Sequence, residues 1–462
     1  MIVEKMEMTI QNGRKVPHAD HAPRVLMIGY NGANNTGAEA LLLADIADVR
    51  KVLGPDAIIT VPSLAPENLR RYVQESATLR IVRIPILYFA ALRRLVRQND
   101  LVMLVEGSTF MDTWGSVLLW AFLWSARCAE RLGKRCIAYA VDAGTLRPLN
   151  RRLVRGIGSR MSMIITRNRA AADRLRAFGV QAPIVDTADN AFTFATRPED
   201  EGWVQRDWLA AATSAGMVGM AVVDCHLFPV VPRPWGRRQD CYKWPYYFSR
   251  SAERRGGSEQ LAAGYAAAAD RIIRERGIPV ALIAMEEVDE RLARAIQGRM
   301  ERPEMARVYS SRVYHASQMT VLLRGLRLLV TCRYHAGVLS LAARVPQVAV
   351  GHDLRLKTLH QDLALADRFF LDPRGPYLFA RLDRLIDRLL DHPEVVADAL
   401  EAGHALHLAR ARTNREHLER ELGLGAAGSL AAGSRRLAPV AGVAAAVAAA
   451  VVPSAVFGAG RR

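Results

Sequence analysis

An arginine and a histidine, Arg333 and His335, stand one residue apart directly after the apolar run Leu328 to Val330. A guanidinium is a planar fork of N–H donors matched to carboxylates and phosphates, and an imidazole exchanges protons near neutral pH. Together they could grip an anion and move a proton on it. The plainer alternatives are a salt bridge for Arg333 and a capping or core role for His335.

Positioning such a pair requires a buried strand that stops just before it and a helix that starts just after. The segment supplies both: an apolar run, a charged turn, a helical apolar pattern through Ala343, then Val345-Pro346 and a second apolar run, Gln347 to Val350. That is a βαβ reading, and parallel βαβ units place their sites outside the carboxyl ends of the strands. The start of the helix would add free N–H groups to the anion pocket.

The same logic applies upstream. A strand, Arg24 to Gly29, opens into a Gly/Asn loop and then a helical pattern from Ala40 to Leu53. Asn35 and Gly37 in that loop tolerate left-handed angles and close approach, so they suit a phosphate or sugar cradle. Glu39 beside them is equally a helix cap. Further apolar runs end in polar turns that carry Ser108, Asp142, Arg167 and the stretch Asp186 to Asn190. All would fall at one edge of one sheet.

We therefore predict an α/β chain with two Rossmann-like domains facing a cleft, a GT-B-like layout. The N-terminal domain spans 20–198 and the C-terminal domain 215–375, the latter interrupted by an aromatic insertion at 224–258. In that insertion Tyr242, Trp244, Tyr246 and Tyr247 could stack on sugar faces or cover a domain edge. Helices over 376–425 would pack across both domains, and 426–462 is an Ala-rich tail, disordered or membrane-touching.

Composition narrows the partners. The 462 residues carry a formal net charge of +17, mostly from arginine, and 50% of them are hydrophobic. Such a field favours anionic ligands and an anionic membrane surface. The chain lacks the interleaved basic and aromatic pattern of nucleic-acid binders, so no nucleic acid is expected. Its five cysteines have no paired spacing, and His352 and His360 have no ligand spacing. We expect no metal, no disulfide and no cofactor. The first residues contain no apolar signal segment, which fits the cytoplasm.

The motifs resemble those of the polysaccharide pyruvyl transferase family. Cys332-Arg333-Tyr334-His335-Ala336, Val345-Pro346, Asp353 and Lys357 are similar to its R-x-H, G-v-P and D..K pattern, with Arg344 where the family favours Gly. Gly29-Tyr30-x-Gly32, Asn35-x-Gly37 and Glu39-Ala40 resemble its G-y-x-G-x-x-N-x-G-D-E-A, with Ala38 for Asp. Thr166-Arg167 and Asp186-x-x-Asp189-Asn190-Ala191-Phe192 resemble two further turns. Two loops depart: Val105-Glu106-Gly107-Ser108 stands for G-G-G-S, and Ala140 to Thr145 for G-Q-G-x-G-P.

The resemblance implies transfer of pyruvate from phosphoenolpyruvate to a saccharide, as a ketal; the basic surface and apolar tail point to a lipid-linked or nucleotide-linked acceptor at the inner face of the cytoplasmic membrane. The chemistry of that transfer would give catalysis to Arg333, to His335 as acid or base, and to Glu39 as a partner base. Arg167, Lys357, Asn35, Gly37, Ser108 and Asp142 would bind substrate, with Arg167 and Lys357 on the donor's charges. Two alternatives stay open: a GT-B-type nucleotide-sugar glycosyltransferase, and a non-catalytic glycan-binding or scaffold protein. Homo-oligomerisation is also left open.

Overall fold

The structure is a computed structural model, and it describes residues 22–113, 115–208, 216–227, 230–233, 235–243, 246–248, 251–351 and 353–424. The tail after 424 and Trp244 fall outside these residues.

Strands β1 (Arg24–Ile28), β2 (Ile58–Ser63), β3 (Leu79–Arg83), β4 (Leu101–Leu104), β5 (Arg135–Val141), β6 (Met163–Thr166) and β7 (Ile184–Asp186) form a parallel sheet in the order β3-β2-β1-β4-β5-β6-β7. Helices cover both faces, so a central strand such as β4 is buried at every position and reads as an unbroken apolar run. β3 has only one buried residue, Ile81. Its sequence carries almost none of that signal.

Past it come β8 (Val218–Ala221), three short strands β9 (Val230–Pro232), β10 (Cys241–Lys243) and β11 (Tyr246–Phe248), then β12 (Val280–Ala284), β13 (Ala306–Ser310), β14 (Leu328–Thr331), β15 (Gln347–Val350) and β16 (Phe370–Leu371). The second parallel sheet runs β13-β12-β8-β14-β15-β16. In each sheet the chain starts at the centre, winds outward one way, and returns to wind the other. The reversals fall between β1 and β4 and between β8 and β14, and such switch points open a crevice at the carboxyl ends. The loops leaving β1, β4 and β14 carry Asn35, Ser108 and the Arg333/His335 pair.

The insertion is not aperiodic chain. β9, β10 and β11 form an antiparallel sheet, and the helix after it begins at Ala252, capped by Ser251. Strands of three residues are too short for alternation to register in sequence. Of its aromatics, Tyr246 covers a domain edge: the Ser116 N–H donates to its hydroxyl at 2.9 Å, and a Cβ on Gly115 would overlap its ring. Tyr247 is buried behind Gly236.

The closing helices, Leu378–Asp391 and Ala397–Leu422, tie the halves together. Leu400 and Ala411 join the apolar core of the second sheet, while Leu418 joins that of the first. Between them Asn414 donates to the Ala188 carbonyl at 3.1 Å and accepts from the Thr187 hydroxyl at 2.5 Å. Among the described residues no helix is long and apolar enough to cross a membrane.

Candidate active site

Arg333 is set by its own turn. Thr331 Oγ1 accepts from the Arg333 N–H at 3.0 Å and donates to the Arg333 carbonyl at 2.8 Å, ending β14 and starting the helix Tyr334–Ser340. The guanidinium then forks onto Asp289, with Nε 2.8 Å from Oδ2, and Nη1 lies 3.2 Å from Glu286 Oε2. Both carboxylates follow β12. The clamp occupies Nε and Nη2 with hydrogen bonds to Asp289 and sets Nη1 beside Glu286, with the guanidinium on the pocket wall.

His335 sits on the seam between the halves. Its imidazole occupies the space that a side chain on Gly37 would take, so Gly37 is needed for the helix Thr36–Leu53 to approach the second sheet. His335 Nε2 lies 3.4 Å from Asp189 Oδ2, which comes from the N-terminal half after β7. Asp189 is fully buried and also takes the Arg167 Nη1 donor at 2.7 Å and the Ala191 N–H at 2.9 Å. Burial alone would push its carboxyl up. The His335 and Arg167 charges outweigh that and hold it well below the usual carboxylate range.

A small pocket of about 90 Å³ opens in front of this seam. Asn35, Gly37 and Ser108 line it, together with Arg333, His335 and Arg355. Asn35 caps its helix, its side chain accepting from the Ala38 N–H at 3.1 Å. Ser108 donates through N and Oγ to Glu106 Oε1 at 3.2 and 3.1 Å. Glu106, on the pocket wall, is buried. Burial raises its pKa against the Ser108 hydrogen bonds and the charges of His335 and Arg167.

Four expected site residues lie elsewhere. Glu39 is not in the cleft: it is 1% exposed, its Oε2 accepts from the Ala316 N–H at 2.9 Å and Oε1 is 3.4 Å from Arg71. It braces one half against a helix of the other. Asp142 is buried against Arg167 Nε at 3.0 Å and Asn168 Nδ2 at 3.2 Å, which removes it as a hydroxyl acceptor. Arg167 is itself enclosed between Asp142 and Asp189, with its guanidinium 4.6 Å over the Tyr334 ring and Nη2 buried without a hydrogen-bond partner. It supports the seam from behind rather than reaching across the cleft. Lys357 points outward, because Leu356 and Leu359 of the same helix turn inward. The cation that this helix sends to the pocket is Arg355, whose Nε donates to Asp353 at 2.7 Å.

Residues not expected from sequence also meet here: Asp189, Glu106, Glu286, Asp289 and Arg355, while Tyr242, one of the insertion's candidate stacking aromatics, lines the pocket. Asp189 lay within a recognised turn. For Glu286 and Asp289 the only signal was their place after a strand.

The polysaccharide pyruvyl transferase family model matches residues 35–353. No curated protein sequence matches. Among solved structures, HepE from Anabaena in complex with UDP-glucose superposes with a TM-score of 0.54 at 13% identity, covering 87% of this chain and 99% of that one. UDP-GlcNAc 2-epimerase from Neisseria meningitidis bound to UDP-GlcNAc gives 0.55 at 8%, covering 86% and 99%. A glycosyltransferase from Rickettsia africae gives 0.53 at 8%, covering 88% and 100%. These likenesses establish the GT-B-like fold.

Proposed function

Because the chain belongs to the polysaccharide pyruvyl transferase family, we propose that it moves pyruvate from phosphoenolpyruvate onto two hydroxyls of a saccharide. The observation that carries this reading is the seam itself: an imidazole whose Nε2 lies 3.4 Å from a buried carboxylate faces a pocket that also receives the Arg333 and Arg355 forks.

The donor's carboxylate and phosphate would pair with the Arg333 and Arg355 guanidinium groups, an arrangement that charge-assisted pairs favour. The central carbon then bonds to two sugar oxygens in turn, and its bond to the phosphate oxygen breaks. One hydroxyl proton ends on the methylene carbon, making it methyl, and the other leaves with phosphate. His335 would carry a proton between them, with Asp189, 3.4 Å from its Nε2, orienting the ring. Glu106, buried beside it, would accept a hydrogen bond from a sugar hydroxyl. We further propose a lipid-linked or nucleotide-linked acceptor at the inner face of the cytoplasmic membrane, which the charge of +17 favours.

Purified protein given phosphoenolpyruvate and candidate glycan acceptors should release phosphate and yield an acid-labile ketal on the glycan. Transfer of a sugar from UDP-glucose without phosphoenolpyruvate consumption would instead favour a glycosyltransferase, the activity carried by the Rickettsia structure of the same fold. Ligand binding with no product in any pairing would favour a glycan-binding protein.

A further inference from the structure

A larger cavity, about 290 Å³, lies beside the His335 pocket rather than in it. The turn Glu287–Asp289 separates the two: Glu286 faces the His335 pocket and Val288 faces this one. Nothing in the proposed transfer uses it.

Its lining is unusual in charge. Arg254, Arg255, Arg291 and Arg299 line it with two carboxylates, Asp224 and Glu259, so its lining side chains are formally more positive than negative, although Arg254 and Arg255 also have interactions of their own. Leu227 and Leu292 give it an apolar side. One wall is built by a costly choice. The helix Ala252–Arg276 carries Gly256-Gly257 in its second turn, where glycine is disfavoured relative to Ala. Gly257 is explained by contact: a Cβ there would lie 2.5 Å from His226 Cε1, so the glycine lets the imidazole stand in the cavity wall. Asp224 Oδ1 accepts from the His226 N–H at 3.0 Å and fixes its approach.

We propose that this cavity binds the diphosphate group of an organic ester, with the ester's apolar or planar part against Leu227 and Leu292. Guanidinium forks pair two at a time with phosphate oxygens, and a diphosphate ester carries the negative charge that the arginine excess would balance. A nucleoside diphosphate and an isoprenoid diphosphate share this chemistry. The site is independent of which group the neighbouring pocket transfers.

The test is calorimetry on the full chain with inorganic pyrophosphate, UDP and farnesyl diphosphate, at low and high salt. Pyrophosphate should bind, more weakly at high salt, and the tighter of the two esters identifies the source. Arg255→Glu with Arg291→Glu, both at exposed positions, should weaken binding at least tenfold while phosphoenolpyruvate binding is unchanged. Gly257→Ala, which pushes His226 into the cavity, should weaken it without charge reversal. The proposal is overturned if none of the three probes binds wild type, or if the arginine variant, folded by circular dichroism, binds them as wild type does. Loss of phosphoenolpyruvate binding alone would count against the transfer reading and leave this one standing.

Discussion

At the scale of single residues, the site separates holding an anion from moving a proton. Arg333 and Arg355 are each clamped by carboxylates of their own half, whereas His335 takes its carboxylate, Asp189, from the other half. Removing the imidazole should therefore spare the anion grip. His335→Gln is expected to lower kcat by about 10²–10⁴ while phosphoenolpyruvate still raises the melting temperature. Asp189→Asn keeps the shape but leaves Arg167 with Asp142 alone, so it should lose turnover and stability together. Turnover in His335→Gln close to wild type would remove His335 from the proton path.

Elements explain which parts of this were readable. Arg333 and His335 stood out because one turn, five residues of sequence, carries both the chemistry and the strand end that presents it. Asp289 lies 44 residues from Arg333, and no local pattern says that the two meet. The D..K spacing points to Lys357, whereas helical phase points to Arg355: the buried Leu356 and Leu359 turn Lys357 away. The departures from the family's glycines are more informative than they looked. Ala140 (φ 52) and Arg344 (φ 56) both adopt the left-handed backbone that a glycine enters without strain. Arg344→Gly should thus be more stable than Arg344→Ala by about 0.5–1 kcal/mol in urea unfolding, both variants having lost the exposed pair with Glu401. Equal midpoints for Gly and Ala would show that this turn stores no strain.

Across the whole molecule, the two halves are joined by buried polar contacts, and the cleft depends on them. Asn34 accepts through its carbonyl from Ser311 Oγ at 2.7 Å, Arg71 Nη2 donates to the Ser311 carbonyl at 2.9 Å, and Glu39 caps the helix Ala316–Arg324 from across the boundary. Glu39 makes this joint sensitive to pH. Burial pushes its carboxyl up to about 8, against the pull of Arg71 and the Ala316 N–H, from an ordinary value near 4.5. Between those values the folded protein keeps a proton that the unfolded chain releases, so folding is favoured at the acid end and loses that advantage as pH rises towards 8. The loss is of the order of a few kcal/mol by linkage. Glu39→Gln cannot ionise, and its amide oxygen can still accept from Ala316. Its melting temperature should match wild type near pH 5 and exceed it at pH 9, with small-angle scattering at pH 9 showing the variant more closed. A wild-type minus variant difference that stays flat from pH 5 to 9 would mean that Glu39 is already ionised in the fold and that the brace is an ordinary salt bridge to Arg71.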